Sequence, residues 1–258
     1  MKRIFLSLLF LLLVWGKCWA TDYTQDARCV GAYIFSEGSG TTVADSSGTG
    51  NTGNFKGNGE PAWSSTVPGT FVSYSANFDG TDDRISLGSV GSADPDFTWG
   101  TGDFTLIFWT YTDSWGSGAR GIIGAKVTDG SSGWLLYCDG GSPTKINGRL
   151  SGTNNFFTTT AMPTGSWSHW ALTRASGTNL TWYYLGSSDN TGTNNSDISL
   201  SLGDTTWLGW NETHNGYFDG LITDLGLFNN DLSSTEINDI MDNGLVGAAP
   251  PTGYGQVI

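Results

Sequence analysis

The chain has 258 residues, of which 38% are hydrophobic, 13% aromatic and only 14% charged, and 38 residues are glycine. So little charge excludes a coiled coil, a Lys/Glu-rich helical bundle and a disordered acidic tail, whereas abundant glycine with aromatic residues is typical of short strands joined by tight turns. The formal net charge of −13 disfavours nucleic-acid phosphates and anionic lipid as partners.

The first twenty residues have the pattern of a secretion signal. Lys2 and Arg3 precede an apolar run, Ile4–Trp15, and a C-x-A ending follows at Ala20. The run is shorter than the roughly 20 residues that span a bilayer. We therefore predict a signal peptide over 1–20 that is removed, with no membrane insertion afterwards. The mature protein is expected to be secreted or held at the cell surface, with the periplasm as an alternative.

Two cysteines, Cys29 and Cys138, remain after that cleavage. An oxidising compartment favours a disulfide between such a pair. The bond would close a long loop, which the chain-entropy model values at up to about 4–5 kcal/mol. Two buried free thiols are the alternative.

Short apolar or aromatic runs separated by glycine-rich turns predict about a dozen strands. A two-sheet antiparallel sandwich accommodates this number of short strands, and we predict one domain over 21–246 followed by a loose tail over 247–258. The predicted strands are Ala32–Phe35, Ser75–Phe78, Arg84–Leu87, Phe104–Tyr111, Gly121–Lys126, Trp134–Cys138, Lys145–Leu150, Phe156–Thr160, Trp167–Arg174, Leu180–Leu185, Thr206–Leu208, Tyr217–Ile222 and Asp224–Phe228.

The strand Phe104–Tyr111 is apolar on both faces. Its alternation places Phe104, Leu106 and Phe108 on one face and Ile107, Trp109 and Tyr111 on the other. One face packs inside the sandwich, so the other must be covered or must meet a partner.

One helix is predicted near the C-terminal end. Ser233 followed by Glu236 forms a capping box in front of an amphipathic pattern. Gly244 is a suitable residue to end that helix.

Several segments together resemble the laminin G-like group of concanavalin A-like jelly rolls, in its secreted bacterial or phage form. The resemblance implies an all-β jelly-roll sandwich that carries one short C-terminal helix. The matching segments are Ala32–Gly48 (AYIFSEGSGTTVADSSG), Phe78–Ile85 (FDGTDDRI), Phe104–Trp109 (FTLIFW), Trp167–Thr173 (WSHWALT) with Leu180–Gly186 (LTWYYLG), and Phe218–Asn229 (FDGLITDLGLFN) with Leu232–Ile237 (LSSTEI).

The resemblance admits glucanases, whose retaining members place two carboxyl groups about 5 Å apart on one strand face. The four glutamates of this chain do not share a strand face with a second acid in an E-x-D-x-E pattern; they are Glu37, Glu60, Glu212 and Glu236. We therefore predict a protein that binds without catalysis.

The resemblance also implies a structural calcium ion, and residue by residue it assigns Glu37, Asp45 and Asp219 as ligands. A second candidate cluster follows from the residues themselves, because an Asp-rich turn supplies the oxygen ligands that calcium prefers. That turn carries Asp79, Asp82 and Asp83. The alternative is that these aspartates cap turns.

Aromatic residues in or beside loops are the candidates for a sugar-binding platform, since lectin sites place aromatic faces against sugar rings. The alternative is that these aromatics fold back as lids over the sandwich. The candidate residues are Trp63, Trp99, Tyr111, Trp115 and Trp134.

The sequence thus predicts a secreted, calcium-supported module that binds a glycan or polysaccharide. The alternative is a protein-interaction or structural module of a cell surface, an appendage or a virion. In that case the face bearing Ile107, Trp109 and Tyr111 would contact a surface protein.

Overall fold

The computed structural model describes residues 21–58, 60–87, 97–116, 118–125, 133–141, 144–152, 154–201 and 204–247. The predicted signal peptide lies outside the described residues, as does the predicted tail beyond Gly247. No described helix is long and apolar enough to cross a membrane.

The described part of the chain contains eighteen strands and one α-helix, and a 3₁₀ turn at Tyr23–Gln25 precedes the first strand. In chain order they are β1 (Cys29–Tyr33), β2 (Thr42–Val43), β3 (Gly53–Lys56), β4 (Ala62–Ser64), β5 (Ser75–Asp79), β6 (Arg84–Leu87), β7 (Phe104–Thr112), β8 (Arg120–Gly124), β9 (Trp134–Cys138), β10 (Ile146–Leu150), β11 (Asn155–Phe157), β12 (Trp167–Ala175), β13 (Asn179–Tyr184), β14 (Ser187–Thr193), β15 (Thr206–Leu208), β16 (Trp210–Asn211), β17 (Gly216–Tyr217), β18 (Asp219–Phe228) and α1 (Ser234–Asn243).

The strands form two large sheets, which confirms the predicted all-β two-sheet sandwich. Sheet A has the order β14-β13-β12-β7-β18-β5-β4, with β1 also paired to β18, and sheet B has the order β11-β10-β9-β8-β15-β6-β3-β2. Neighbouring strands in both sheets run antiparallel. A separate two-stranded hairpin joins β16 to β17.

The core lies between the two sheets. As predicted, Phe104, Leu106 and Phe108 of β7 point inward and are fully buried. Trp134 and Leu136 of β9 face them from sheet B as part of the same hydrophobic cluster. Burying each such side chain stabilises the fold by about 1.5–3 kcal/mol, so this layer holds the sheets together.

The outer face of sheet A is covered. Ile107 packs in a second hydrophobic cluster that includes Ile237 and Ile240 of α1. The ring of Trp109 lies 6.1 Å from that of Phe71, in the segment that precedes β5. Of the two options for this face, Ile107 and Trp109 are therefore covered by the chain itself, and the alternative of a partner contact is wrong for them.

The helix that covers this face begins and ends as predicted. The Ser233 hydroxyl accepts the N–H of Glu236, and the Glu236 carboxylate accepts the N–H of Ser233. The chain leaves the helix at Gly244, whose φ is +74°.

The predicted disulfide is not present, and both cysteines are buried free thiols. Cys29 belongs to the cluster on the α1 side of sheet A, whereas Cys138 lies in the core between the sheets, 3.7 Å from the Met162 sulfur. Sheet A thus separates the two side chains. Burial raises the pKa of the Cys29 thiol to about 12.

Glycines on β8 and in the β16–β17 hairpin allow that hairpin to lie directly on sheet B. A Cβ atom added to Gly121 of β8 would lie 2.1 Å from the carbonyl carbon of Trp210. A Cβ atom added to Gly216 would lie 1.9 Å from the carbonyl oxygen of Ala119. Only a residue without a side chain permits such a close backbone approach.

Asp224 occupies a bulge in β18, where the sequence predicts a break between two strands. Its φ is +49°, and the side chain is buried. One carboxylate oxygen accepts the N–H of Leu245 at 3.2 Å, and the other has no partner among the described residues. Burial raises the pKa of Asp224 from its ordinary 3.8 to about 7.

We predict that Asp224→Asn stabilises the fold increasingly as pH rises. The pKa of Asp224 is 3.8 in the unfolded chain and about 7 in the folded protein, so between these pH values the folded protein keeps a proton that the unfolded chain has lost. The free energy of unfolding of the wild type therefore falls as pH rises through this range. Urea unfolding across this pH range should show a gain that is small near the lower value and largest above the upper one. Asp242→Asn, at an exposed position of α1, is the control. A gain for Asp224→Asn that does not change with pH would contradict the assignment.

We predict that Gly121→Ala displaces the β16–β17 hairpin and lowers the free energy of unfolding by about 1–3 kcal/mol. The added methyl group would clash with main-chain atoms of Trp210 and Asn211, which cannot move aside as a flexible side chain can. Tryptophan fluorescence and thermal unfolding would measure the two effects. Gly141→Ala serves as the control, since its Cβ would come no closer than 3.2 Å and would meet a side chain. Unchanged fluorescence in Gly121→Ala would show that the hairpin does not depend on this approach.

Candidate functional site

The outer face of sheet B carries three partly exposed aromatic rings, Trp207, Trp210 and Tyr217, which we call the aromatic patch. Alternation along β15 turns Thr206 and Leu208 inward and Trp207 outward. The ring centroids of Trp207 and Trp210 are 5.3 Å apart with the planes nearly perpendicular. Trp210 and Tyr217 are nearly parallel at 6.0 Å. The three rings thus hold a defined mutual geometry.

The hairpin that carries Trp210 and Tyr217 is anchored at its turn. The Asn211 side chain accepts the N–H of His214 at 3.1 Å. The imidazole ring of His214 stacks on Tyr137 of β9 at 5.9 Å. These contacts fix the patch relative to the sheet below it.

Arg84 of β6 lies among the rings of the patch. Its guanidinium carbon is 5.3 Å from the Trp207 ring centroid, 5.2 Å from that of Trp210 and 6.0 Å from that of Tyr217. Nη1 donates to the main-chain carbonyl of Asp82 at 3.0 Å, and the buried Nε has no partner among the described residues. Cation–π attraction therefore contributes to holding this side chain in place.

A narrow cleft beside the patch is too tight to admit even a water molecule. Trp207 and Trp210 line it together with Leu135, Glu212 and Thr213. Aromatic faces combined with carboxylate, hydroxyl and guanidinium groups are the means by which proteins bind sugars. A sugar ring can therefore stack on the partly exposed rings at the surface, within reach of the exposed Glu212, and does not enter the cleft.

Two members of the predicted platform belong to the core instead. Trp134 is fully buried, and its Nε1 donates to the carbonyl of Phe97 at 3.0 Å. Trp99 is only 7% exposed and lies 4.9 Å from Trp134 and 5.1 Å from Phe104, measured between ring centroids. A role in ligand stacking is therefore corrected for Trp99 and Trp134, because neither has an open face.

The other three predicted platform residues are half-buried and lie in different parts of the fold. Trp63 is on β4, at one edge of sheet A, with its Nε1 donating to the carbonyl of Gly40 at 2.7 Å. Tyr111 is on the outer face of sheet A, 5.8 Å from Trp167. Trp115 lies in the loop after β7 and packs against the core. The structure does not assemble them into one surface.

The Asp79, Asp82 and Asp83 carboxylates are brought together by the turn between β5 and β6, with ligand oxygens within 4.8 Å of one another. They accept main-chain N–H groups: Asp79 from Thr81 at 2.8 Å, Asp82 from Asn58 at 3.2 Å and Asp83 from Asp79 at 3.0 Å. Burial, with the charges of Asp79 and Asp82, raises the pKa of Asp83. The donor set is all oxygen, which fits calcium.

The set implied by resemblance, Glu37, Asp45 and Asp219, is not assembled within the described residues. Asp219 is the register partner of Asp79 and lies 3.8 Å from Arg120. The Glu37 carboxylate accepts the N–H of Ala44 at 2.7 Å. Burial alone would raise the pKa of Asp45, but hydrogen bonds from Ser47 and from the main chain bring that pKa below its ordinary value. Asp45 therefore acts as a turn cap.

Sequence reasoning assigned no role to Trp207, Trp210 or Arg84. Two signals were present: the alternation Thr206-Trp207-Leu208, which turns an indole away from the core, and the polar run 211–216 (NETHNG) directly after Trp210. That run is typical of a hairpin turn, which would place Trp210 and Tyr217 side by side.

Solved structures with the same architecture include proteins that bind ligands of several kinds. One is domain 4 of AbnA, a GH43 extracellular arabinanase from Geobacillus stearothermophilus, solved in complex with arabinotriose. It is 19% identical to this chain with a TM-score of 0.61, and the match covers 83% of this chain and 98% of that chain. The binding domain of botulinum neurotoxin DC, solved with rat synaptotagmin II, is 14% identical over 83% of this chain and 51% of that one, with a TM-score of 0.62. Trypanosoma rangeli sialidase is 17% identical with a TM-score of 0.59, and the match covers 84% of this chain and 33% of the sialidase chain.

The chain thus spans about half of the toxin domain and a third of the sialidase. At these identities the likeness shows the fold. No curated protein sequence matches the chain. The model of the concanavalin A-like lectin/glucanases superfamily matches residues 79–238, more than half of the chain, and the protein belongs to that superfamily.

Proposed function

We propose that this protein is a secreted, non-catalytic module that binds carbohydrate on the aromatic patch of sheet B. The observation that carries the proposal is the fixed, partly exposed arrangement of Trp207, Trp210 and Tyr217, with the exposed Glu212 beside them. Rings held in place before binding lose little conformational entropy when a sugar stacks on them.

Two structural neighbours support a carbohydrate ligand. The arabinanase domain was solved with arabinotriose, and a botulinum neurotoxin DC binding domain was solved with SialylT. Export is supported by the predicted signal peptide over 1–20 and by the extracellular location of that arabinanase.

The acids near the patch support binding without hydrolysis. Glycoside hydrolysis needs two carboxyl groups flanking the scissile bond. Glu212 is the acid of the cleft, and the Asp79, Asp82 and Asp83 carboxylates accept amide hydrogen bonds within their own turn. We propose that incubation with a bound polysaccharide releases no reducing sugar.

We predict that Trp210→Ala weakens polysaccharide binding by about 30-fold, the equivalent of about 2 kcal/mol for a central aromatic contact. Affinity electrophoresis of the mature chain, through gels that contain neutral and acidic polysaccharides, would measure it. Trp167→Ala is the matched control, because Trp167 is also half-buried but lies on the outer face of sheet A.

Loss of binding in Trp167→Ala and not in Trp210→Ala would move the site to the surface around Tyr111. If no polysaccharide retards the folded protein, the proposal fails and a protein partner becomes the better explanation. A complex of that kind is known for a structural neighbour, the toxin domain with synaptotagmin II.

We also propose that the Asp79, Asp82 and Asp83 turn binds a structural calcium ion. Three carboxylates so close together repel one another, and no Lys or Arg side chain of the described residues forms an ion pair with them. A bound cation would remove that repulsion and bridge β5 to β6.

We predict that calcium at 100 times its dissociation constant stabilises the protein by about 2.7 kcal/mol, a rise in Tm of roughly 5–10 °C. Asp82→Asn should abolish the rise, whereas Asp242→Asn on α1 should retain it. Thermal unfolding with calcium and then with EDTA would measure both. A Tm that calcium does not change would overturn the calcium proposal and leave the sugar proposal standing.

A further inference from the structure

Two cations lie side by side on sheet B next to the aromatic patch. Lys56 of β3 and Arg84 of β6 are register partners on adjacent strands, which are about 4.8 Å apart in a sheet. Phe55 and Ile85, the neighbours of each, point into the core, so Lys56 and Arg84 both point to the outer face.

This pairing is costly for the fold, because like charges directly opposite each other destabilise a sheet. The chain carries 24 acidic residues against 11 basic ones. A carboxylate opposite one of the two cations would therefore match the composition of the chain better than a second cation. Among the described residues neither Lys56 nor Arg84 forms an ion pair, whereas Arg28 pairs with Asp26 at 2.7 Å and with Glu236 at 2.6 Å.

The acids nearest to Arg84 in the chain are engaged elsewhere. The Asp82 carboxylate accepts the N–H of Asn58, and the Asp83 carboxylate accepts the N–H of Asp79. Among the described residues, Arg84 donates a side-chain hydrogen bond to the main-chain carbonyl of Asp82 and to no carboxylate. The two positive charges therefore lack a carboxylate partner inside the described part of the fold.

Arg84 is also held in a fixed position. Three rings whose centroids lie within 6.0 Å of its guanidinium carbon restrict the side chain, so little side-chain entropy remains to be lost when a ligand binds. A guanidinium group binds a carboxylate or sulfate through two parallel hydrogen bonds, and the flexible, exposed Lys56 adds a second charge.

We propose that Lys56 and Arg84 bind a negatively charged substituent, a carboxylate or a sulfate, of the glycan that stacks on the aromatic patch. The protein then selects acidic over neutral polysaccharides. This inference rests on the proposed function, and it adds the chemical class of the ligand.

Calorimetry with matched oligosaccharides tests the inference. One pair is tetragalacturonate and its methyl ester, and the other is an agaro-oligosaccharide with and without sulfate esters. The charged member of at least one pair should bind about tenfold more tightly, and added salt should reduce that difference. The pair that shows the preference identifies the substituent as carboxylate or sulfate.

Lys56→Gln should remove most of the preference for the charged member while leaving the affinity for the uncharged member unchanged. Arg84→Lys should reduce the preference less, because the charge remains while the two-bond geometry is lost. Lys145→Gln is the control, since Lys145 precedes β10, five strands away from β3 in sheet B. Lys56 is exposed, so its variant tests the inference even if Arg84→Lys does not fold.

Equal affinity for the charged and uncharged members of both pairs would overturn the inference and leave carbohydrate binding intact. A charge preference that is undiminished in both Lys56→Gln and Arg84→Lys would also overturn it, because another site would then be responsible. Failure of every oligosaccharide and of neutral polysaccharides to bind would instead overturn the proposed function.

Discussion

The packing of tryptophan side chains between the two sheets is the interaction on which the rest of the structure depends. Trp134, Trp170 and Trp182 are fully buried. The indole N–H of Trp134 reaches the Phe97 carbonyl, and that of Trp182 reaches the Phe156 carbonyl at 2.8 Å. Because these rings fill the space between sheets about 10 Å apart, they fix which strand faces point outward.

The two outer faces then differ in how they are covered. Sheet A is covered by α1 and by the segment around Phe71, which bury its apolar outer residues. Sheet B is covered over β8 by the short β16–β17 hairpin, which approaches closely at Gly121. That hairpin presents Trp210 and Tyr217, both partly exposed, on the outer side of sheet B.

The few cations of this acidic chain serve different purposes. Arg174 is buried, and its guanidinium donates to the carbonyls of Gly100, Gly102 and Ser196 at 2.7–3.0 Å, so it ties two loops to β12. Removing it would break these three hydrogen bonds, and the Gly100 carbonyl would keep only the N–H of Ile198 at 2.9 Å. Arg84 instead packs against Trp210 and Tyr217 of the hairpin, and Lys56 is exposed. We attribute the adjacency of these two cations to the proposed anionic ligand.

The sequence by itself determined the sandwich architecture, the inward face of β7 and the helix that begins at Ser233, because alternation and capping are local properties of neighbouring residues. It did not predict β14, Ser187–Thr193, whose polar residues carry no alternation; that strand exists because it pairs with β13. Only the tertiary structure decided that Trp99 and Trp134 are buried, that Cys29 and Cys138 lie on opposite sides of sheet A, and that Arg84 meets Trp207 and Trp210. These outcomes depend on contacts between residues far apart in the chain, which local pattern does not encode.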